Sequence, residues 1–119
     1  MVFTDWGFSV VRDWMLGKSV TAPSGMLVGT GSGTVTFSNL LLGSPMDPTR
    51  HAFASRSGIG FTGQFEHLVN SGDIITGSIV REIGMIAQSG GNLFFRYLIP
   101  EIELLGSTEI NSVVVINVI

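Results

Sequence analysis

The stretch Ser78–Pro100, SIVREIGMIAQSGGNLFFRYLIP, decides the fold. Two apolar runs with strand character flank the turn-forming cluster Ser89-Gly90-Gly91-Asn92, and this pattern predicts a β-hairpin. In the first arm Ile79, Arg81, Ile83, Met85 and Ala87 alternate with Val80, Glu82, Gly84 and Ile86. Arg81 and Glu82 therefore project from opposite faces of a strand that is otherwise mostly apolar and is covered on both sides. Two adjacent residues of a strand cannot pair with each other. Each is expected to meet a partner across the sheet or across a subunit boundary, where Arg is a frequent anchor.

Outward from the hairpin, most of the chain reads as further strands. Ile59, Phe61, Gly63, Phe65 and His67 alternate with Gly60, Thr62, Gln64 and Glu66, which predicts one half-buried antiparallel strand with its aromatics pointing inward. Asn70-Ser71-Gly72-Asp73 is a turn, and Ile74–Thr76 extends the hairpin arm across Gly77 as a bulge. The run Ile110–Ile119, INSVVVINVI, has the strongest β-propensity of the sequence and neither charge nor proline. At an open edge such a strand invites aggregation, so it is expected to be central or paired with another chain.

On the N-terminal side, Gly25–Thr30 reads as a short buried strand after a connector ending near Pro23. Gly29, Gly31 and Gly33 follow at alternate positions, but the spacing and the β-formers Thr34–Phe37 do not match a phosphate-binding loop. The expectation is a flexible turn between strands. Only Asp5–Leu16 suggests a helix, with Trp6, Val10 and Trp14 on one stripe, Thr4 or Asp5 as its cap and Gly17 as its left-handed stop. The stripe predicts that both tryptophans are core.

The longest irregular segment is Asn39–Ser57, where Pro45 and Pro48 interrupt pairing and Asp47 forms a turn. A loop of this length in a small domain is usually functional, so Leu42–Ser57 is the first candidate for an intersubunit contact, with the Ser89–Asn92 turn as a second. Met46, Arg50 and Phe53 supply apolar and cationic anchors there, and Arg81 and Arg96 on the hairpin complete the candidate protein interface. Replacing Met46, Arg50 and Phe53 together by Ser is expected to spare folding.

The chain has 119 residues, enough for a single domain, 1–119, that buries roughly two-thirds of its unfolded surface. Only 13% of residues are charged, against about 25% in an average soluble domain. Such a chain either shows water much apolar surface or buries part of its outside against neighbours, and we expect the second. With no cysteine, disulfides, thiolate metal sites and cysteine nucleophiles are excluded. The net charge is −3, and the six cations Arg12, Lys18, Arg50, Arg56, Arg81 and Arg96 form no basic run, which argues against nucleic acid. No apolar run approaches the ~20 residues that span a bilayer, so no membrane partner is expected. His51 and His67 lack metal-ligand spacing and read as surface or turn residues. Glu101 and Glu103 share a face of an extended segment and read as exposed edge acids. No serine lies in a nucleophile elbow. No enzyme, metal or cofactor is expected. The fold class is mainly β: an antiparallel β-sandwich or jelly-roll-like domain with one N-terminal α-helix.

Three segments carry a resemblance. Val28-Gly29-Thr30-Gly31, then Glu82, Gly84 and Met85, then Leu93, Arg96, Ile99 and Pro100 follow the order of an "I-x-V-G-T-G" strand, a "(I/T)-x-E-x-G-L-F" arm and an "L-x-A-R-x-x-(F/L)-P" return arm. The chain in this respect resembles, over nearly its whole length, the small tailed-bacteriophage virion proteins labelled tail-fibre or minor structural proteins. It departs in the bulky Phe94–Tyr97 and in the proline-rich Leu42–Ser57 loop. The resemblance implies a non-enzymatic virion subunit, tail- or fibre-associated, partnered by itself as a trimer or hexamer and by other virion proteins. A capsid cement or decoration protein is the alternative. A host receptor or glycan binding module is the alternative of another class.

Overall fold

The computed structural model describes residues 2–39, 41–73, 77–87, 92–105 and 108–117. In chain order the elements are β1 (Val2–Phe3), α1 (Asp5–Met15), β2 (Gly25–Gly29), β3 (His51–Ala52), β4 (Ser55–Ile59), β5 (Thr62–Val69), β6 (Ile79–Ile86), β7 (Phe95–Glu103) and β8 (Ile110–Asn117). Short 3-10 turns lie at Asp47–Thr49 and Ser71–Asp73. The strands form two antiparallel sheets, one ordered β1-β7-β6-β2-β3 and the other β4-β5-β8. The architecture is the β-sandwich with an N-terminal helix that the sequence predicts.

The hairpin at Ser78–Pro100 is present as β6 and β7, antiparallel from Ile79↔Glu103 to Met85↔Phe95, with the tip, residues 88–91, outside the described residues. Its register shifts between Val80 and Glu82, since Val80 faces Ile102 while Glu82 faces Leu98. The extra β7 residues include Pro100, which has no N–H to donate and so sits where the ladder is interrupted. The predicted extension through Ile74–Thr76 also lies outside the described residues. β2 pairs with the other side of β6, from Gly25↔Ile86 to Gly29↔Glu82, and is buried along its whole length.

The predicted strand over Ile59–His67 is two strands. Chain direction reverses at Gly60 and Phe61, where Ile59 faces Thr62 and Gly60 takes φ 59°, a left-handed conformation that glycine adopts without a Cβ penalty. Phe65 is half-buried and packs on Phe53, but Ile59 and Phe61 at the turn are 87% and 74% exposed, so the aromatics do not all point inward. β8 pairs with β5 along the full length, from Thr62↔Asn117 to Val69↔Ile110, and is the edge of its sheet rather than a central strand. β3 and β4 are separated by only Phe53 and Ala54, and that short corner carries the chain from one sheet to the other.

The main core lies between the sheets and joins Met26, Val28, Ile83, Met85 and Phe95 to Val69, Ile110 and Val114. A smaller cluster of Leu27, Leu42, Ile86 and Leu93 lies apart from it. Consecutive residues of β2 and β6 contribute to different clusters, so both faces of these strands are covered.

α1 starts at Thr4, whose hydroxyl accepts from the Gly7 amide, and is followed by Gly17 at φ 76°. Trp6 meets Phe94 edge to face at 4.7 Å and packs with Val10 against the core. Gly7 lets the helix approach the hairpin, because a Cβ there would stand 2.8 Å from the Phe94 carbonyl oxygen. Trp14 corrects the sequence reading: it is 68% exposed, with Met15 and Leu16 exposed beside it. The stripe is apolar throughout, but only its N-terminal half meets the sheets.

Candidate functional site

The described residues contain one fully buried ion pair, and two loop segments, one after β2 and one before Pro45, close around it. Glu82 is 0% exposed and Arg96 4%. They stand diagonally across the β6–β7 ladder, since Gly84 directly faces Arg96, and a diagonal spacing is within reach of long side chains. Arg96 Nε donates to Glu82 Oε2 at 2.9 Å and Nη2 lies 2.8 Å from the same oxygen. Three backbone amides complete the carboxylate's shell: Gly31 and Ser44 donate to Oε1 at 3.1 and 2.9 Å, and Gly43 donates to Oε2 at 3.0 Å. The remaining guanidinium N–H groups reach the Ser32 and Thr34 carbonyls and Asn39 Oδ1.

This arrangement explains two of the three alternating glycines, while Gly33 takes φ 103° with open space around it. A Cβ on Gly29 would stand 2.5 Å from Glu82 Oε1, and one on Gly31 would stand 2.6 Å from it. The segment is therefore a close-fitting clasp rather than a flexible turn, and Thr34–Phe37 form no strand. Pro45 likewise forms an isolated bridge with Gly29, and the Met46 amide donates to the Val28 carbonyl, which holds this part of the irregular segment to β2. Burial pushes the Glu82 carboxyl up, but the Ser44 and Gly43 amides and the Arg96 guanidinium outweigh it and hold it below the usual value. Both oxygens are engaged from within the chain, so Glu82 has no lone pair directed at a substrate. Its chemistry, with Arg96, is to tie residues 31–34, Asn39, Gly43 and Ser44 to the hairpin.

A second polar cluster joins the histidines. His67 is buried, against the sequence reading of a surface residue, and its Nε2 bonds the Thr49 carbonyl at 2.9 Å. Thr49 Oγ1 in turn accepts from the Val28 amide and donates to the Met46 carbonyl. His67 Nδ1 is buried with no partner among the described residues, and burial lowers the pKa of the ring, outweighing the Thr49 bond. The half-exposed His51 lies with its ring centre 6.1 Å from that of His67 and bonds Asp73 Oδ2 at 2.8 Å. That bond holds Asp73 below the usual carboxylate range. Among the described residues no group of three or more His, Cys, Asp or Glu could hold a metal ion.

The five predicted interface residues do not form one surface. Met46 is buried in the core, and Phe53 packs on Phe65 beside it, so both are committed within the chain. Arg96 belongs to the ion pair. Arg50 reaches Asp47 Oδ1 at 3.2 Å, while its Nη1 is buried without a partner among the described residues. Arg81 crosses the sheet to Glu101 at 3.0 Å and donates to the Thr30 carbonyl. Replacing Met46 and Phe53 by Ser would strip core contacts, so the expectation that folding is spared does not hold.

Large apolar side chains are exposed elsewhere. The β4–β5 tip exposes Ile59 and Phe61, and the end of α1 exposes Trp14, Met15 and Leu16. An apolar cleft of about 250 Å³, lined by Ile83, Phe95, Tyr97, Val113 and Val114, lies between β8 and the β6–β7 hairpin. The sequence reading places Phe61 and Trp14 inside; the glycine before Phe61 and the unbroken apolar Trp14-Met15-Leu16 end of the helix are the signals that mark the first two of these surfaces. No protein-family model, curated protein or solved structure matches the chain.

Proposed function

We propose that the chain is a non-enzymatic structural subunit of a bacteriophage virion, associated with the tail or fibre, that works by packing against copies of itself and against other virion proteins. The observation that carries the assembly part is the exposure of large apolar side chains at separate places, Ile59 and Phe61 at a hairpin tip and Trp14, Met15 and Leu16 at a helix end, on a chain with 13% charged residues. Apolar patches rimmed by polar residues mark association sites more often than free surface. The virion part rests on the resemblance. In its favour, the matched residues Gly29, Gly31, Glu82 and Arg96 meet in one buried clasp, so the motif describes a single structural device. The test is mass spectrometry of purified particles: the protein is expected in a fixed ratio to the major shell protein, and its absence from particles overturns the reading. Capsid cement and tail subunit are separated by the fraction it follows when heads and tails are purified apart.

One observation favours receptor or glycan binding as a second reading: Trp14 is exposed next to Asp13, and sugar sites place an open indole near a carboxylate. Quenching of Trp14 fluorescence by host surface glycans would support that reading.

A further inference from the structure

We infer that β8 is a homotypic pairing edge: the β8 strands of two copies join antiparallel about Val114, fusing two three-stranded sheets into one continuous sheet. The inference deepens the assembly reading above, from which it takes only self-association.

β5 occupies one side of β8 over its whole length, and among the described residues no strand pairs with the other side. That side presents unpaired N–H and C=O groups. Edge strands are ordinarily blunted by shortness, charge, proline or a bulge. β1 and β3 have two residues each, and β4 carries Arg56 and a glycine. β8 has eight residues, INSVVVIN, in unbroken register with β5 and without charge or proline. It is the one strand edge described that carries none of these protections.

The order of its side chains makes a second copy the occupant. Ile110, Ser112, Val114 and Ile116 turn toward the core, while Asn111, Val113, Val115 and Asn117 are exposed on the outer face. That outer face is a palindrome. A two-fold axis through Val114 places Asn111 opposite the partner's Asn117 and Val113 opposite the partner's Val115, so amide meets amide and valine meets valine. A slip of two residues sets Asn111 against the partner's Val115, and a slip of one turns the inner face outward. Only the centred register is matched throughout. The added strand also extends the sheet alongside the apolar cleft that Val113 and Val114 share with Ile83, Phe95 and Tyr97. An isologous contact of this kind builds dimers and even-numbered rings stacked in pairs, so it fits a hexamer and not an isolated trimer.

The test uses the full chain, which has no native cysteine. Chains carrying Val113→Cys and chains carrying Val115→Cys, mixed and oxidised, should give a disulfide-linked dimer, because directly opposed residues have Cα atoms about 4.5–5.5 Å apart. Each variant alone should link poorly. Val113→Lys with Val115→Lys sets like charges opposite each other and should weaken association by on the order of tenfold or more, read by sedimentation. If the lysine variant fails to fold by circular dichroism, the near-isosteric cysteine pair decides. A wild-type chain that stays monomeric at micromolar concentration overturns both β8 pairing and self-association. A folded lysine variant with unchanged oligomeric mass, or a Val113→Cys chain that links alone as well as the mixture does, overturns β8 pairing and leaves the assembly reading standing.

Discussion

Glu82 and Arg96 are both buried, where water does not offset an unmatched charge, and each is intelligible only through the other. Replacing Glu82 by Gln keeps the shape, leaves the Arg96 guanidinium buried and uncompensated, and turns a donor toward amides that also donate. The expected loss is about 3–5 kcal/mol, seen as a lower urea midpoint at unchanged slope. Replacing both residues by Met is not expected to restore stability, as it does for many buried pairs, because the Gly31, Gly43 and Ser44 amides would then lack an acceptor. The pH dependence has one sign throughout. His67, Asp73 and Glu82 all have folded-state pKa values below their ordinary ones. In each case the unfolded chain binds a proton first, so the stabilisation is present above the ordinary value and is lost as pH falls through the folded one. The His67 part declines below about pH 6.5, and the two carboxylates add to it further down. Urea midpoints measured from pH 8 to pH 5.5 should therefore fall, and His67→Gln should flatten that part of the curve. A midpoint that rises on acidification would contradict the burial of a neutral His67.

At the scale of elements, the helix divides into a half that packs and a half that protrudes. Trp6→Ala should cost about 2–3 kcal/mol, less than a fully buried ring because Trp6 is half-buried. Trp14→Ala should change the melting midpoint by no more than about 0.5 kcal/mol allows. Equal losses at the two sites would place the helix differently. The β6–β7 hairpin was legible in the sequence because its signals are local: alternation on both arms and turn residues between them. The helix and its cap were legible for the same reason. The β4–β5 turn was missed because a two-residue reversal leaves the alternation of Ile59, Phe61, Gly63 and Phe65 unbroken, so periodicity does not register the change of direction. Of the two places expected for β8, central or paired with another chain, the sequence does not select one, because strand order is set by other strands: INSVVVIN states that the strand wants pairing and not how many neighbours the chain provides. The clasp was invisible for a third reason. Most of Glu82's partners are backbone amides from distant loops, and no residue type marks a backbone donor.

At the scale of the whole molecule, the balance between charged and apolar surface selects how copies associate. Several cations are paired within the chain: Arg96 with Glu82 in the interior, and Arg81 with Glu101, Arg50 with Asp47 and Arg12 with Asp13 at the surface. The large apolar features left exposed include Ile59, Phe61, Trp14 and Met15 together with the valines on the outer face of β8. Association through such surfaces is driven by removing apolar area from water and by completing a ladder of main-chain hydrogen bonds, and neither depends on long-range charge. Ionic strength therefore has little to screen. Between about 0.05 and 0.5 M salt the Debye length shrinks severalfold, which would strongly weaken an interface built on ion pairs. Here the dissociation constant from dilution calorimetry should change by less than about threefold over that range, a free-energy change within RT ln 3. The heat capacity change on association should be negative, as burial of apolar surface requires. Dissociation by salt, with a heat capacity change near zero, would show instead that the surface cations Arg12, Lys18 and Arg56 hold the assembly together, and that the apolar tips remain in water.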